Sequence, residues 1–133
     1  MEPRLFVLDT SAIMVVLEDE PETPTMLEIL GQAAEGQATL LLPFLALMEV
    51  EYILLRRVQP ERVVAAVSML ENWPATIVES NAAWRRQAAL VKASDGLSLA
   101  DAWMAALAML SNAQLVHKDP EFDNIAGLRS VKL

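Results

Sequence analysis

Four acidic side chains stand where a carboxylate could do more than face water. Asp9 ends the apolar run Leu5-Phe6-Val7-Leu8 and is followed at once by the hydroxyl pair Thr10-Ser11. A continuous apolar run suits a strand buried on both faces of a parallel sheet. The carboxyl end of such a strand is where ligands and chemistry collect in open α/β sheets. Asp119 follows a later strand-like stretch, 115–117, and should open onto the same sheet edge as Asp9. Glu49 and Asp101 lie instead where a helix pattern asks for a hydrophobe. Glu49 falls inside the stripe Leu45, Met48, Tyr52, Ile53, with Leu45 at i−4 and Ile53 at i+4, whereas Glu51 is about 200° around the axis. Asp101 shares a face with Leu97, Met104, Ala105 and Ala108. Burying a lone carboxylate is costly, so acids on core faces call for a partner or a bound cation.

Each acid also has a plainer structural role open to it. Asp9 could be a helix N-cap, and Glu49 could pair with Arg56. Ser98 with Asp101 three residues on resembles a capping box. Asp119-Pro120 is an ordinary turn starter, and Glu121 and Asp123 are near enough to be confused with Asp119, which comes nearest the strand end.

The elements that must position these acids alternate in type along the chain. Helix is expected over 11–17, from Thr23-Pro24 with Met26, Leu27 and Leu30 inward, over 44–57, over 61–71 with Val63, Val67 and Leu70 on one face, after an Asn81 cap with Trp84, Ala88 and Val91 inward, and from Ser98 to about 110. Strands are expected over 5–8, 39–42, 76–78 and 115–117, with 129–133 as an edge strand. No repeat or linker divides the chain, so one domain over 1–133 is expected, α/β in class with a central parallel sheet and no derivable strand order.

Composition narrows the function. A chain of 133 residues can bury roughly two thirds of its unfolded surface without staples. It contains no cysteine, which removes disulfides, thiolate zinc sites and cysteine nucleophiles together. Without a signal-like start or a long apolar run, a soluble cytoplasmic protein with no membrane partner is expected. Ten basic against 18 acidic residues give a net charge of −8, which argues against broad electrostatic adhesion to nucleic acid or anionic lipid.

Taken together, Asp9-Thr-Ser-Ala after the first strand, Met48-Glu49-Val50 after the second, Leu99-Ala-Asp101-Ala102 opening a late helix and Val116-His-Lys-Asp119-Pro-Glu-Phe122 after the next strand resemble the PIN-domain family. The likeness is to its small VapC-like toxins, and it spans essentially the whole chain in order and spacing. It implies a three-layer α/β/α fold and a metal-dependent endoribonuclease, the toxin of a toxin–antitoxin pair. Asp9, Glu49, Asp101 and Asp119 would be the catalytic and metal-holding acids, and the products would carry 5′-phosphate and 3′-hydroxyl ends. It also implies a homodimer formed through helices and a cognate antitoxin whose C-terminal segment covers the site. Ser11, His117 and Asp123 would support the acids. His117 departs from the family, which more often has Thr or Ser two residues before the last acid; the change bears on hydrogen bonding and pH dependence more than on metal binding.

Physical chemistry agrees with that resemblance. Carboxylates ~5 Å apart repel by roughly 3 kcal/mol per pair at an effective dielectric of about 20, so the cluster needs a cation or raised pKa values. With only oxygen ligands available, Mg²⁺ or Mn²⁺ is expected rather than zinc. A histidine-pair ribonuclease needs more than the single histidine present. Serine-hydrolase and P-loop motifs are absent from the sequence. An aspartyl-phosphate enzyme would usually have a second acid where Ser11 stands. Arg56 and Arg57 are the candidates for holding RNA phosphates, and solvated helix surface is their plainer account. The rival class is a PIN-like module without catalysis that only binds protein or RNA.

Overall fold

The computed structural model describes residues 2–133. Among them are five strands, β1 (Arg4–Leu8), β2 (Ala38–Pro43), β3 (Thr76–Val78), β4 (Gln114–His117) and β5 (Arg129–Lys132). Six α-helices alternate with them: α1 (Thr10–Leu17), α2 (Thr23–Ala34), α3 (Phe44–Leu55), α4 (Pro60–Glu71), α5 (Ala82–Asp95) and α6 (Leu99–Leu110). All neighbouring strands pair in parallel, in the order β3-β2-β1-β4-β5. β1 is therefore central, with Val7 opposite Leu41 on one side and Leu115 on the other. β5 lies at an edge, as its alternating polarity predicts.

The chain moves outward from β1 to β2 and β3, then returns across β1 to β4. Right-handed crossovers then put α1–α4 on one face of the sheet and α5–α6 on the other. The packing follows this division: α1 meets α2 and α3, α3 meets α4, and α5 meets α6. The result is a single three-layer α/β/α domain. Reversal of direction between β1 and β4 creates a switch point, the crevice where ligands collect in such sheets. The loops after β1 and β4 begin with Asp9 and Lys118-Asp119.

Helix ends obey local chemistry. Asn81 caps α5 through the Trp84 N–H at 2.9 Å, and Gly96 closes that helix at φ 68°, a left-handed conformation suited to glycine. α6 rests on β1 and β4, and Ala102, Ala105, Ala106 and Ala108 are all buried along it. Methyl-sized side chains let its backbone come close to the strands.

Two helix faces differ from expectation. Leu27 is 54% exposed, and Ile29 is buried in its place beside Met26. In α3, Met48 and Tyr52 are 60% and 44% exposed, while Leu45, Ala46, Val50 and Leu54 are buried. The helix is apolar nearly all round, so sequence periodicity cannot choose its inward face. At about 100° per residue, Glu49 still lies between Leu45 and Ile53 within the buried arc, and it is half-buried.

Candidate metal centre and its supports

Asp9 leaves β1 with its backbone still in the sheet, the N–H donating to Val116 O at 3.0 Å. Its side chain caps α1, Oδ2 accepting from the Ser11 N–H at 3.0 Å. The Ser11 hydroxyl donates to the same Oδ2 and accepts from the Lys118 N–H at 2.9 Å. Ser11 thus ties the ends of β1 and β4 together. The adjoining hydroxyl, on buried Thr10, donates to Glu49 Oε1 at 2.7 Å. Glu49 is therefore held by Thr10 and not by Arg56.

Asp101 opens α6, where its backbone N–H is capped by Ser98 Oγ at 3.2 Å. Its half-buried carboxyl belongs to a different arrangement. Oxygens of Asp101, Asp119 and Glu121 all lie within 4.8 Å of one another. Asp119 Oδ1 accepts from the Glu121 N–H at 2.9 Å, so the turn after β4 presents both acids together. The capping and turn roles are real, and they orient these carboxylates without using up their lone pairs.

Unrelieved charge is visible in the acids' proton affinities. Burial first, and then the Glu49 and Asp119 charges, raise the Asp9 carboxyl from 3.8 to about 6 against the two Ser11 hydrogen bonds. Burial also lifts Asp101 from 3.8 to about 7, helped by the Glu121 carboxyl and by the charges of Asp9 and Asp119. Four of the acids therefore form one field, since Asp9 feels Glu49 and Asp119, and Asp101 feels Asp9 and Asp119.

His117 is buried at 1% exposure, its ring edge-on to Phe122 with centroids 5.0 Å apart. Its Nδ1 accepts the Asp119 N–H at 3.2 Å, so that nitrogen carries no proton. Burial holds its pKa below the ordinary value, opposed by the Asp123 and Asp119 charges. The histidine supports the backbone of Asp119. It does not aim Nδ1 at the acid cluster.

A match to the PIN domain family model extends over residues 6–128. The chain belongs to the PIN domain family. Solved structures agree on the fold. VapBC2 of Rickettsia felis, bound to a DNA fragment from its promoter, has a chain 18% identical with a TM-score of 0.80, the match covering 96% of this chain and 98% of that one. DNA-bound VapBC of Salmonella typhimurium gives 19% identity and a TM-score of 0.81, covering 99% and 98%. VapC20 of Mycobacterium tuberculosis, a sarcin-ricin loop cleaving toxin, gives 19% and 0.69, covering 93% and 98%. No curated protein sequence matches the chain significantly.

Within this PIN domain the remaining expected residues are distributed unevenly. Ser11 touches Asp9 directly. Asp123 is exposed and pairs with Lys132 Nζ at 2.6 Å, turned toward β5 and outside the Asp101–Asp119–Glu121 group. Arg57 is exposed and bound to Glu18. Arg56 is exposed, with no ion pair among the described residues. Three contributors went unselected in the sequence: Thr10, Lys118 and Glu121. The hydroxyl pair after Asp9 was a usable signal for Thr10. Lys118 Nζ lies 2.6 Å from Oε1 of both Glu20 and Glu22 and pairs with each.

The raised pKa of Asp9 gives a signed pH dependence. Its folded value of about 6 exceeds the unfolded 3.8, so the folded state holds the proton more tightly between them. Protonated Asp9 is tolerated at low pH, and stability is lost as pH rises through about 6. Metal-free wild type is therefore expected to lose roughly 3 kcal/mol relative to Asp9→Asn between about pH 3 and pH 7. Urea unfolding of both proteins in a chelator across that range checks it; a difference constant with pH would contradict it.

Proposed function

We propose that this chain is a Mg²⁺- or Mn²⁺-dependent endoribonuclease, the toxin partner of a cognate antitoxin. The observation that carries this reading is the convergence of Asp101, Asp119 and Glu121 oxygens within 4.8 Å, with Asp9 close enough for its charge to raise Asp101. The donors fit a hard divalent cation: all are carboxylate oxygens, and the one histidine is turned to backbone. Asp9, Asp101 and Asp119 would hold the ion, with Glu49 and Glu121 available beside them. When bound, such an ion supplies Lewis-acid stabilisation of phosphodiester charge and lowers the pKa of water.

The chain's own groups prepare the site. Ser11 fixes Asp9 to the β4 end, Thr10 holds Glu49, and His117 holds the Asp119 backbone. These second contacts fix carboxylate orientation, which governs metal affinity. The toxin–antitoxin complexes among the structural neighbours support an antitoxin partner. The exposed Met48, Tyr52 and Leu55 of α3, at i, i+4 and i+7, offer an apolar line for that partner or a second copy. No helix among the described residues is long and apolar enough to cross a membrane.

The test is incubation of the purified protein with transfer, ribosomal and messenger RNA in Mn²⁺. Expected are discrete fragments with 5′-phosphate and 3′-hydroxyl ends, absent in chelator and in Asp119→Asn. RNA bound but left intact in Mn²⁺ would replace this reading with the non-catalytic binding module.

A further inference from the structure

Beside the acid cluster lies a cavity of about 350 Å³, lined by Met14 and Ile53 and by two ion pairs. One pair is Glu18–Arg57, and the other is Glu20–Lys118, Nζ to Oε1 at 2.6 Å. Ser11 lines the same cavity, and its hydroxyl is bonded to Asp9. Ser11 therefore stands between the cavity and the Asp9 carboxylate. We propose that this cavity is a nucleotide subsite that takes a nucleobase bearing an exocyclic amino group, from a nucleotide adjoining the phosphate held at the acids. The proposal rests on the RNA-cleaving reading for the second half of that statement only.

Charge decides the class of occupant. Both cations in the wall are already neutralised by carboxylates of the same wall, and Lys118 has Glu22 in addition. A phosphate would find no free cation there and would face the carboxylates of Glu18 and Glu20. A nucleobase is neutral, and it offers an apolar face to Met14 and Ile53. Single-stranded RNA is commonly read in this way, with unstacked bases held by their faces and hydrogen-bonded at their edges. The volume lies within the range of small-molecule sites.

The edge chemistry is specific as well. Carboxylates accept hydrogen bonds and cannot donate them, and those of Glu18 and Glu20 retain lone pairs after one cation each. Adenine, cytosine and guanine carry amino donors, whereas uracil has no amino group, and its one N3–H donor sits between two carbonyls that would meet these oxygens with repulsion. The two ion pairs also bridge α1 and its following turn to α3 and to the β4 end. An occupant would touch segments that also carry Asp9, Glu49 and Asp119.

Nuclear magnetic resonance of the isotope-labelled full chain in Mg²⁺ tests this without requiring turnover. The probes are the four ribonucleoside 5′-monophosphates and, as the control lacking a base, ribose 5-phosphate. Adenosine, cytidine and guanosine monophosphates are expected to shift the Met14 and Ile53 methyls, the Arg57 side-chain N–H and the Ser11 and Lys118 amides. Uridine monophosphate should bind about five- to tenfold more weakly, the worth of one hydrogen bond. Ile53→Trp, which fills the cavity, should abolish the shifts; Glu18→Gln should narrow the discrimination should the larger variant fail to fold. Equal shifts with ribose 5-phosphate would overturn the proposal in favour of a phosphate site. No shift with any nucleotide would overturn it too, and a response only to an arginine-rich peptide would assign the cavity to a protein partner. Loss of the RNA-cleaving reading would show separately, as intact RNA in Mn²⁺.

Discussion

Asp101→Asn is expected to unfold at a higher temperature than wild type in chelator and to show no rise in its unfolding midpoint when Mn²⁺ is added. Both effects have one cause. Asp101 is pushed up to about 7 by burial and by the Glu121, Asp9 and Asp119 carboxyls around it. Removing its charge relieves that repulsion in the metal-free protein. The same substitution removes an oxygen donor from the group within 4.8 Å. In wild type, an ion at a hundredfold excess over Kd should add about 2.7 kcal/mol, a midpoint shift of roughly 10 °C for a chain of this length. Opposite signs for one substitution in two buffers separate a metal centre from a merely destabilised helix start. A mutant that unfolds earlier in both buffers would mean that Asp101 serves α6 alone.

The second large effect concerns stability. Trp84→Ala should cost about 4 kcal/mol and lower the midpoint by roughly 15 °C. Trp84 is 1% exposed, with its ring 5.0 Å from Trp103 and 5.6 Å from Phe44, both edge-on. Its indole Nε1–H donates to Trp103 O at 2.8 Å, so truncation leaves a cavity and removes a hydrogen bond between α5 and α6. Trp84→Phe keeps much of the ring volume and loses the donor, and should recover most of the loss. Thermal unfolding of both variants measures this; equal losses would assign the effect to the hydrogen bond. Because Phe44 begins α3 and Trp103 lies two residues from Asp101, this cluster also braces the helices that carry Glu49 and Asp101.

Asp9 and Asp119 were legible because a strand end is a position in the sequence as much as in space. Their common sheet edge was expected too, but that β1 and β4 are direct neighbours was not legible, since the order β3-β2-β1-β4-β5 depends on pairings between distant segments. Glu49 was read correctly as inward from a stripe that was phased wrongly. Met48 and Tyr52 made a second apolar face, and only packing decides which of two apolar faces a helix buries. Glu121 is exposed and follows Asp119-Pro120, where spacing alone gives no reason to prefer it to Asp123. The 3₁₀ turn Pro120–Phe122 separates them, sending one carboxylate to the acid group and the other to Lys132.

The row of buried alanines in α6 sets a limit on how this chain can vary. That helix carries Asp101 and lies directly on β1 and β4, the strands that deliver Asp9 and Asp119. A larger side chain at Ala105 or Ala108, on the side of α6 that carries Asp101 and buried Met104, would be overpacked, at a cost of about 1–3 kcal/mol, and would lift the helix off the sheet. The lift would also widen the gap between carboxylates that come from different layers. Sequence drift should therefore be broad at exposed apolar positions such as Leu90 and Val64 and narrow along one face of α6. In this chain the smallest side chains act as the spacers that fix the distances among the acids.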